Sequence, residues 1–197
     1  MKKLNLPNTL TMIRMVLIPV FIVLFFVEFN GHTLAAALVY VAACITDFFD
    51  GYLARKNNLV TNFGKFIDPI ADKMIIACSL IAICVTEPIM APVHVYKILI
   101  AVFTMLIISR ELMISVFRTV AADKRIVLAA DMIGKLKTVV QMMALFALLP
   151  ITDFVVWNYV AAEVFFYGGF ALLALATLLT VISGIHYIVK NRAVLED

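Results

Sequence analysis

Uncharged apolar runs recur along this chain, among them Met15 to Val27, Met74 to Thr86 and Thr138 to Thr152, and only short polar joints separate them. Runs this long and this frequent cannot all be hidden in the core of a water-soluble domain. Hydrophobic residues make up 64% of the 197 residues and charged ones 15%, against roughly 45–50% and about 25% in ordinary soluble domains. A helix needs about 20 mostly apolar residues to cross the hydrocarbon core of a bilayer. The chain therefore reads as an all-α polytopic membrane protein of six transmembrane helices: Thr9 to Phe29, Leu34 to Ala54, Phe66 to Thr86, Lys97 to Val120, Leu128 to Thr152 and Val160 to Val189. Breakers fall at the joints, as at Asn30-Gly31, Asn57-Asn58, Thr61-Asn62, Pro88 and Pro92. Residues 1–197 read as a single domain, and the first apolar run as a retained helix rather than a cleaved leader.

Orientation follows from the basic residues. With the N-terminus in the cytoplasm, Lys2, Lys3, Arg14, Arg55, Lys56, Lys65, Lys73, Arg110, Arg118, Lys124, Arg125, Lys135, Lys137, Lys190 and Arg192 all fall in cytoplasmic loops or cytoplasmic halves of spans, and of the 16 Lys and Arg only Lys97 does not. That asymmetry is the positive-inside pattern, and six spans return the C-terminus to the same side. The net charge of +3 is spread in small clusters between apolar runs, where lipid headgroups or phosphorylated substrates are fitting partners and nucleic acid is not. Cys44, Cys78 and Cys84 lie inside apolar runs without metal-binding spacing and read as small hydrophobes, and the ten methionines as core filling.

Spans two to five carry charge in their cytoplasmic halves and almost none in their outer halves. Each charge within a bilayer costs roughly 2.5–3.5 kcal/mol on insertion scales, so such residues turn towards a bundle interior or a wet cavity. The expected architecture is a polar cavity open to the cytoplasm and sealed on the outer side by apolar residues. Asp47 and Asp50, three apart near the end of span two, share one helix face, and so do Asp68 and Asp72, four apart near the start of span three. A short turn joins these spans as an antiparallel hairpin, which brings four carboxylates to one depth. Four ionised carboxylates cannot share a low-dielectric site uncompensated. Hard divalent cations with oxygen ligands would satisfy them and could also take substrate phosphates into their coordination. Gly51, Ala54 and Gly64 lie near these aspartates and leave room for a bulky ligand.

Asp47-Phe48-Phe49-Asp50-Gly51-Tyr52-Leu53-Ala54-Arg55, eight residues, Gly64, three residues, Asp68, three residues and Asp72 reproduce every fixed position of the CDP-alcohol phosphotransferase signature, and the chain resembles that family. Two further stretches, Asn5 to Arg14 and Ser109-Arg110-Glu111 through Arg118 to Gly134-Lys135-Leu136-Lys137-Thr138, resemble its phosphatidylglycerophosphate synthase branch. The resemblance implies two Mg²⁺ or Mn²⁺ ions held by Asp47, Asp50 and Asp68 with Asp72 beside them, and it gives Asp72 the role of general base. It implies binding of a CDP-lipid, CDP-diacylglycerol, by Asn8, Asp47, Gly51, Ala54, Arg55, Thr61 and Gly64. For the acceptor it implies sn-glycerol 3-phosphate, with Arg110, Arg118, Lys135 and Lys137 on its phosphate. The same resemblance implies a homodimer, and together with the basic-residue asymmetry it leads to the expectation of a bacterial inner-membrane protein with termini and active site facing the cytoplasm.

Plainer readings stand beside these. Any one aspartate alone would read as solvated charge at a helix end, but four at signature spacing do not. The four basic residues could be ordinary positive-inside charge, and Glu111 fits a structural ion pair with Arg110 or a nearby lysine better than a catalytic role. His32, His94 and His186 suit local interfacial contacts, and Trp157 with Tyr159 suits an outer aromatic belt. Sister enzymes using a cardiolipin-type acceptor, inositol phosphate or serine share the signature. A prenyltransferase fits the Asp-Gly-x-x-Ala-Arg core and its gap to Gly64 poorly, and a cation transporter would need polar groups across the whole membrane.

Overall fold

The computed structural model describes residues 6–57, 62–86, 93–124 and 132–192. Among them the chain forms seven α-helices and no strand: α1 (Leu6–Phe26), α2 (His32–Asn57), α3 (Asn62–Val85), α4 (Val93–Asp123), α5 (Met132–Leu148), α6 (Ile151–Trp157) and α7 (Tyr159–Lys190). His94–Asp123, Met132–Trp157 and Tyr159–Lys190 are long and apolar enough to cross a membrane, and Thr11–Phe26, His32–Thr46 and Lys73–Val85 are shorter apolar helices. The fifth expected span divides into α5 and α6 at Pro150, which precedes α6 and makes no side-chain cap. A proline there lacks the N–H that would continue the helix and its ring crowds the preceding turn.

Two compact units make up the chain: Met1–Thr86 with Leu148–Glu163, and Glu87–Ala147 with Val164–Asp197. In the first, α1 packs on α2 and α3. Ile18, Phe21 and Phe25 of α1, Ala36, Ala37, Tyr40 and Ala43 of α2, and Ala71, Ile75 and Leu80 of α3 are buried. Small residues let helix backbones approach closely, the main route to tight packing where lipid removes any hydrophobic drive between helices. The joint after α1 turns at Gly31, whose φ of +89° is open to glycine at little cost. Helix α2 is then capped from far along the chain by buried Asp153 of α6. Asp153 Oδ1 accepts from Gly31 N (3.1 Å), and Oδ2 accepts from Thr33 Oγ1 (2.6 Å) and Leu34 N (2.8 Å). Trp157 Nε1 donates to Asn30 Oδ1 (3.0 Å) on the same joint, and His32 Nδ1 lies 3.0 Å from Phe25 O. These are the local contacts expected of His32.

In the second unit Tyr96 packs edge-on against Phe166, Tyr167 and Phe170, Phe103 meets Phe170, and Phe117 meets Tyr187. The pairs ascend together along both helices, so α4 and α7 run parallel. The methionines overturn their expected place in the core. Met12, Met74, Met105, Met113, Met132 and Met143 are exposed, and no methionine is fully buried among the described residues. With lipid outside, apolar character no longer separates inside from outside, and small or polar residues such as Ala144, Ala176, Thr180 and Ser183 occupy the interior instead.

Candidate active site

The first unit carries the aspartates. Asp47 and Asp50 stand ten and seven residues before the end of α2, and Asp68 and Asp72 six and ten residues after the start of α3. At 1.5 Å per residue these offsets match, about 15 and 10 Å on α2 against about 9 and 15 Å on α3. The two helices touch. The side chains of Asn8, Asp47, Asp50, Gly51, Ala54, Arg55, Gly64, Asp68 and Asp72, and the whole of Thr61, lie outside the described residues. At the level of the backbone, two i, i+3 and i, i+4 carboxylate pairs on touching helices make a donor set that fits hard divalent cations.

Arg14 belongs to the same unit and is 1% exposed, among the largest fully buried side chains of the protein. Topology alone accounted for it in the sequence, yet a guanidinium enclosed within an apolar helix requires anionic or hydrogen-bonding compensation. The sequence signal was an arginine five residues past Thr9, inside the first expected span.

The second unit carries the basic residues and does not treat them alike. Arg110 lies across α7 over Gly184, where an added Cβ would come 3.0 Å from Arg110 Cγ. From there Arg110 Nη1 donates to Glu111 Oε1 (3.1 Å) and Nη2 to Ser183 Oγ (2.9 Å). Ser183 Oγ in turn donates to Thr180 O (3.2 Å). Lys137, buried on α5, donates to the same Glu111 Oε1. Glu111 is thus the hub of an ion-pair cluster, the structural pairing expected of it. Arg118 is exposed; its Nε donates to Tyr187 OH (3.2 Å), and its guanidinium carbon lies 5.3 Å from the centre of the Tyr187 ring. Lys135 is exposed. The structure therefore brings Arg110 and Lys137 together on one carboxylate, seats Arg118 on Tyr187 and leaves Lys135 at the surface.

Gln141, one turn beyond Lys137 on α5, escaped the sequence reading. It is 1% exposed, and among the described residues neither Oε1 nor Nε2 has a hydrogen-bond partner. Burying an amide in that condition costs about 1–3 kcal/mol by protein mutational measures.

A family model for CDP-alcohol phosphatidyltransferase matches residues 4–182. The chain is 38% identical over 195 residues to the CDP-diacylglycerol–glycerol-3-phosphate 3-phosphatidyltransferase of Escherichia coli, covering 98% of both chains. Its likeness to the protein of the same name from Salmonella paratyphi A is of the same extent, 38% over 98% of both. The one from Wigglesworthia glossinidia brevipalpis is 38% identical over 149 residues, 75% of this chain and 78% of that one. With the signature aspartates at matched depth on α2 and α3, and a match running almost from end to end, the chain belongs to the CDP-alcohol phosphatidyltransferase family.

Proposed function

We propose that this chain transfers the phosphatidyl group of CDP-diacylglycerol to sn-glycerol 3-phosphate, forming phosphatidylglycerophosphate and releasing CMP. The observation that carries this reading is the end-to-end likeness to relatives whose name states that reaction. Asp47, Asp50 and Asp68 would hold two Mg²⁺ or Mn²⁺ ions, with Asp72 next to them, and such ions would supply charge neutralisation for the donor diphosphate. Arg55, Asn8 and Thr61 bind the cytidine diphosphate, and Gly51, Ala54 and Gly64 leave it space. Asp72 accepts the proton of the acceptor's primary hydroxyl as that oxygen bonds to the lipid-side phosphorus and the bond from phosphorus to the CMP oxygen breaks. Arg110, Arg118, Lys135 and Lys137 hold the acceptor phosphate, for which arginine offers a forked donor set and lysine a point charge. The chain crosses the bacterial inner membrane six times with both termini in the cytoplasm, a reading supported by its basic-residue asymmetry.

The test is CMP release from CDP-diacylglycerol in mixed micelles, with sn-glycerol 3-phosphate, inositol 1-phosphate, serine and phosphatidylglycerol offered in turn. Turnover is expected with sn-glycerol 3-phosphate and divalent metal only; turnover with another alcohol instead would move the chain to a sister enzyme. Asp72→Asn is expected to keep metal-dependent donor binding and to slow turnover by about a hundredfold or more, the scale of general-base catalysis. Near-normal turnover in that variant removes Asp72 as the base.

A further inference from the structure

We propose that Gln141 is a specificity-determining residue of the acceptor site, its carboxamide hydrogen-bonding the secondary hydroxyl of a glycerol-type phosphate. This rests on the acceptor reading above, in which Arg110 and Lys137 take the phosphate. Gln141 follows Lys137 by four residues on α5, about 6 Å along the axis and on the same face. That face is polar at Lys137, Thr138 and Gln141 and then turns apolar at buried Ala144 and Leu145. Gln141 is therefore the last polar group on the stripe that begins with the phosphate-binding lysine.

Both ends of its amide are buried with no hydrogen-bond partner among the described residues. Backbone and side-chain polar groups within a membrane-spanning helix have no bulk water to turn to, so an amide kept there is matched by something other than its own helix. A carboxamide both donates and accepts, as a hydroxyl does, and carries no charge. It therefore suits the neutral hydroxyl of a polyol phosphate better than the ammonium or carboxylate of an amino-acid acceptor. A buried water would satisfy the same atoms, and the two occupants differ in what they demand of the substrate.

The experiment compares sn-glycerol 3-phosphate with 3-hydroxypropyl phosphate, which keeps the phosphate and the attacking primary hydroxyl and lacks only the secondary one. CMP release by the full chain in mixed micelles gives kcat/KM for each. The wild-type protein is expected to prefer sn-glycerol 3-phosphate by roughly ten- to a hundredfold, the worth of one buried hydrogen bond. Gln141→Met should lose that preference by slowing with sn-glycerol 3-phosphate alone. Its KM for CDP-diacylglycerol should stay as in wild type and its melting temperature should be equal or higher, because an unmatched buried amide has been replaced by an apolar chain of similar size. A Gln141→Met protein that keeps the preference overturns the proposal in favour of a buried water. Should that variant not fold, Gln141→Leu serves the same comparison, and a wild-type protein indifferent to the missing hydroxyl overturns the proposal without any variant. CMP release by the wild type with neither compound removes the acceptor reading itself, and this inference with it.

Discussion

A single oxygen of Glu111 accepts from both Lys137 and Arg110, so the four basic residues do not offer equivalent substitutions. Removing Lys137 takes one of two cations off Glu111, a carboxylate that is 24% exposed and keeps Arg110, as well as deleting a cation. Removing Arg118 or Lys135, both exposed, deletes a cation with little else. If each of these makes a charge-assisted bond to the acceptor phosphate, its loss is worth about 1.5–3 kcal/mol. Arg118→Ala and Lys135→Ala are thus expected to raise the KM of sn-glycerol 3-phosphate by roughly ten- to a hundredfold and to leave that of CDP-diacylglycerol alone. Lys137→Ala should do so too and also lower thermal stability, by about 1 kcal/mol for the lost bond to Glu111, which keeps Arg110. Steady-state kinetics at constant ionic strength, paired with melting curves in detergent, separate the cases. An equal loss for both substrates would assign Arg118 and Lys135 to topology or donor binding. The pairing of Glu111 was legible in the sequence because Arg110 adjoins it. The isolation of Gln141 was not, since a glutamine in an apolar helix looks the same whether or not a neighbour reaches it.

Among the described residues, the start of α2 depends on a distant residue. The orphan N–H groups at a helix start are ordinarily met by a side chain within the first turn. Here Asp153, 120 residues beyond Thr33, takes that part and accepts three hydrogen bonds at once. The carboxylate also sits where the positive end of the α2 dipole favours a negative charge. Asp153→Ala should cost about 2–4 kcal/mol, above an ordinary cap because buried donors are left unmatched. Asp153→Asn, which retains one acceptor oxygen, should cost less. Thermal denaturation in detergent measures both; a melting temperature unchanged by Asp153→Ala would show that the cap contributes nothing. Helices α1 to α5 and α7 were visible as apolar runs with breakers between them. Helix α6 was not, because its seven residues continue the apolar run before Pro150 and declare themselves only by where Asp153 and Trp157 reach.

For the whole molecule, the parallel course of α4 and α7 agrees with alternating spans, and the direction of those spans can be tested with single cysteines. In a background with Cys44, Cys78 and Cys84 changed to alanine, Lys97→Cys should react with a membrane-impermeant thiol reagent applied to spheroplasts. Lys124→Cys should react only after the membrane is opened, and the reverse pattern would invert the orientation. Helix positions, the basic-residue asymmetry and the aspartate signature were all readable from residue order, because hydropathy is a property of contiguous segments and helical spacing places Asp47 with Asp50 and Asp68 with Asp72 whatever surrounds them. Which apolar residues turn inward was not readable: next to lipid a methionine loses nothing by facing out, so interior places went to alanine, threonine and serine by size and hydrogen bonding. Nor could residue order yield the cap on α2, the seat of Arg110 on Gly184 and Ser183, or the burial of Arg14 and Gln141. Most of these join groups some 70 to 120 residues apart, and all of them depend on which helices pack together, a choice made by the shape and small residues of the helix faces rather than by any local pattern along the chain.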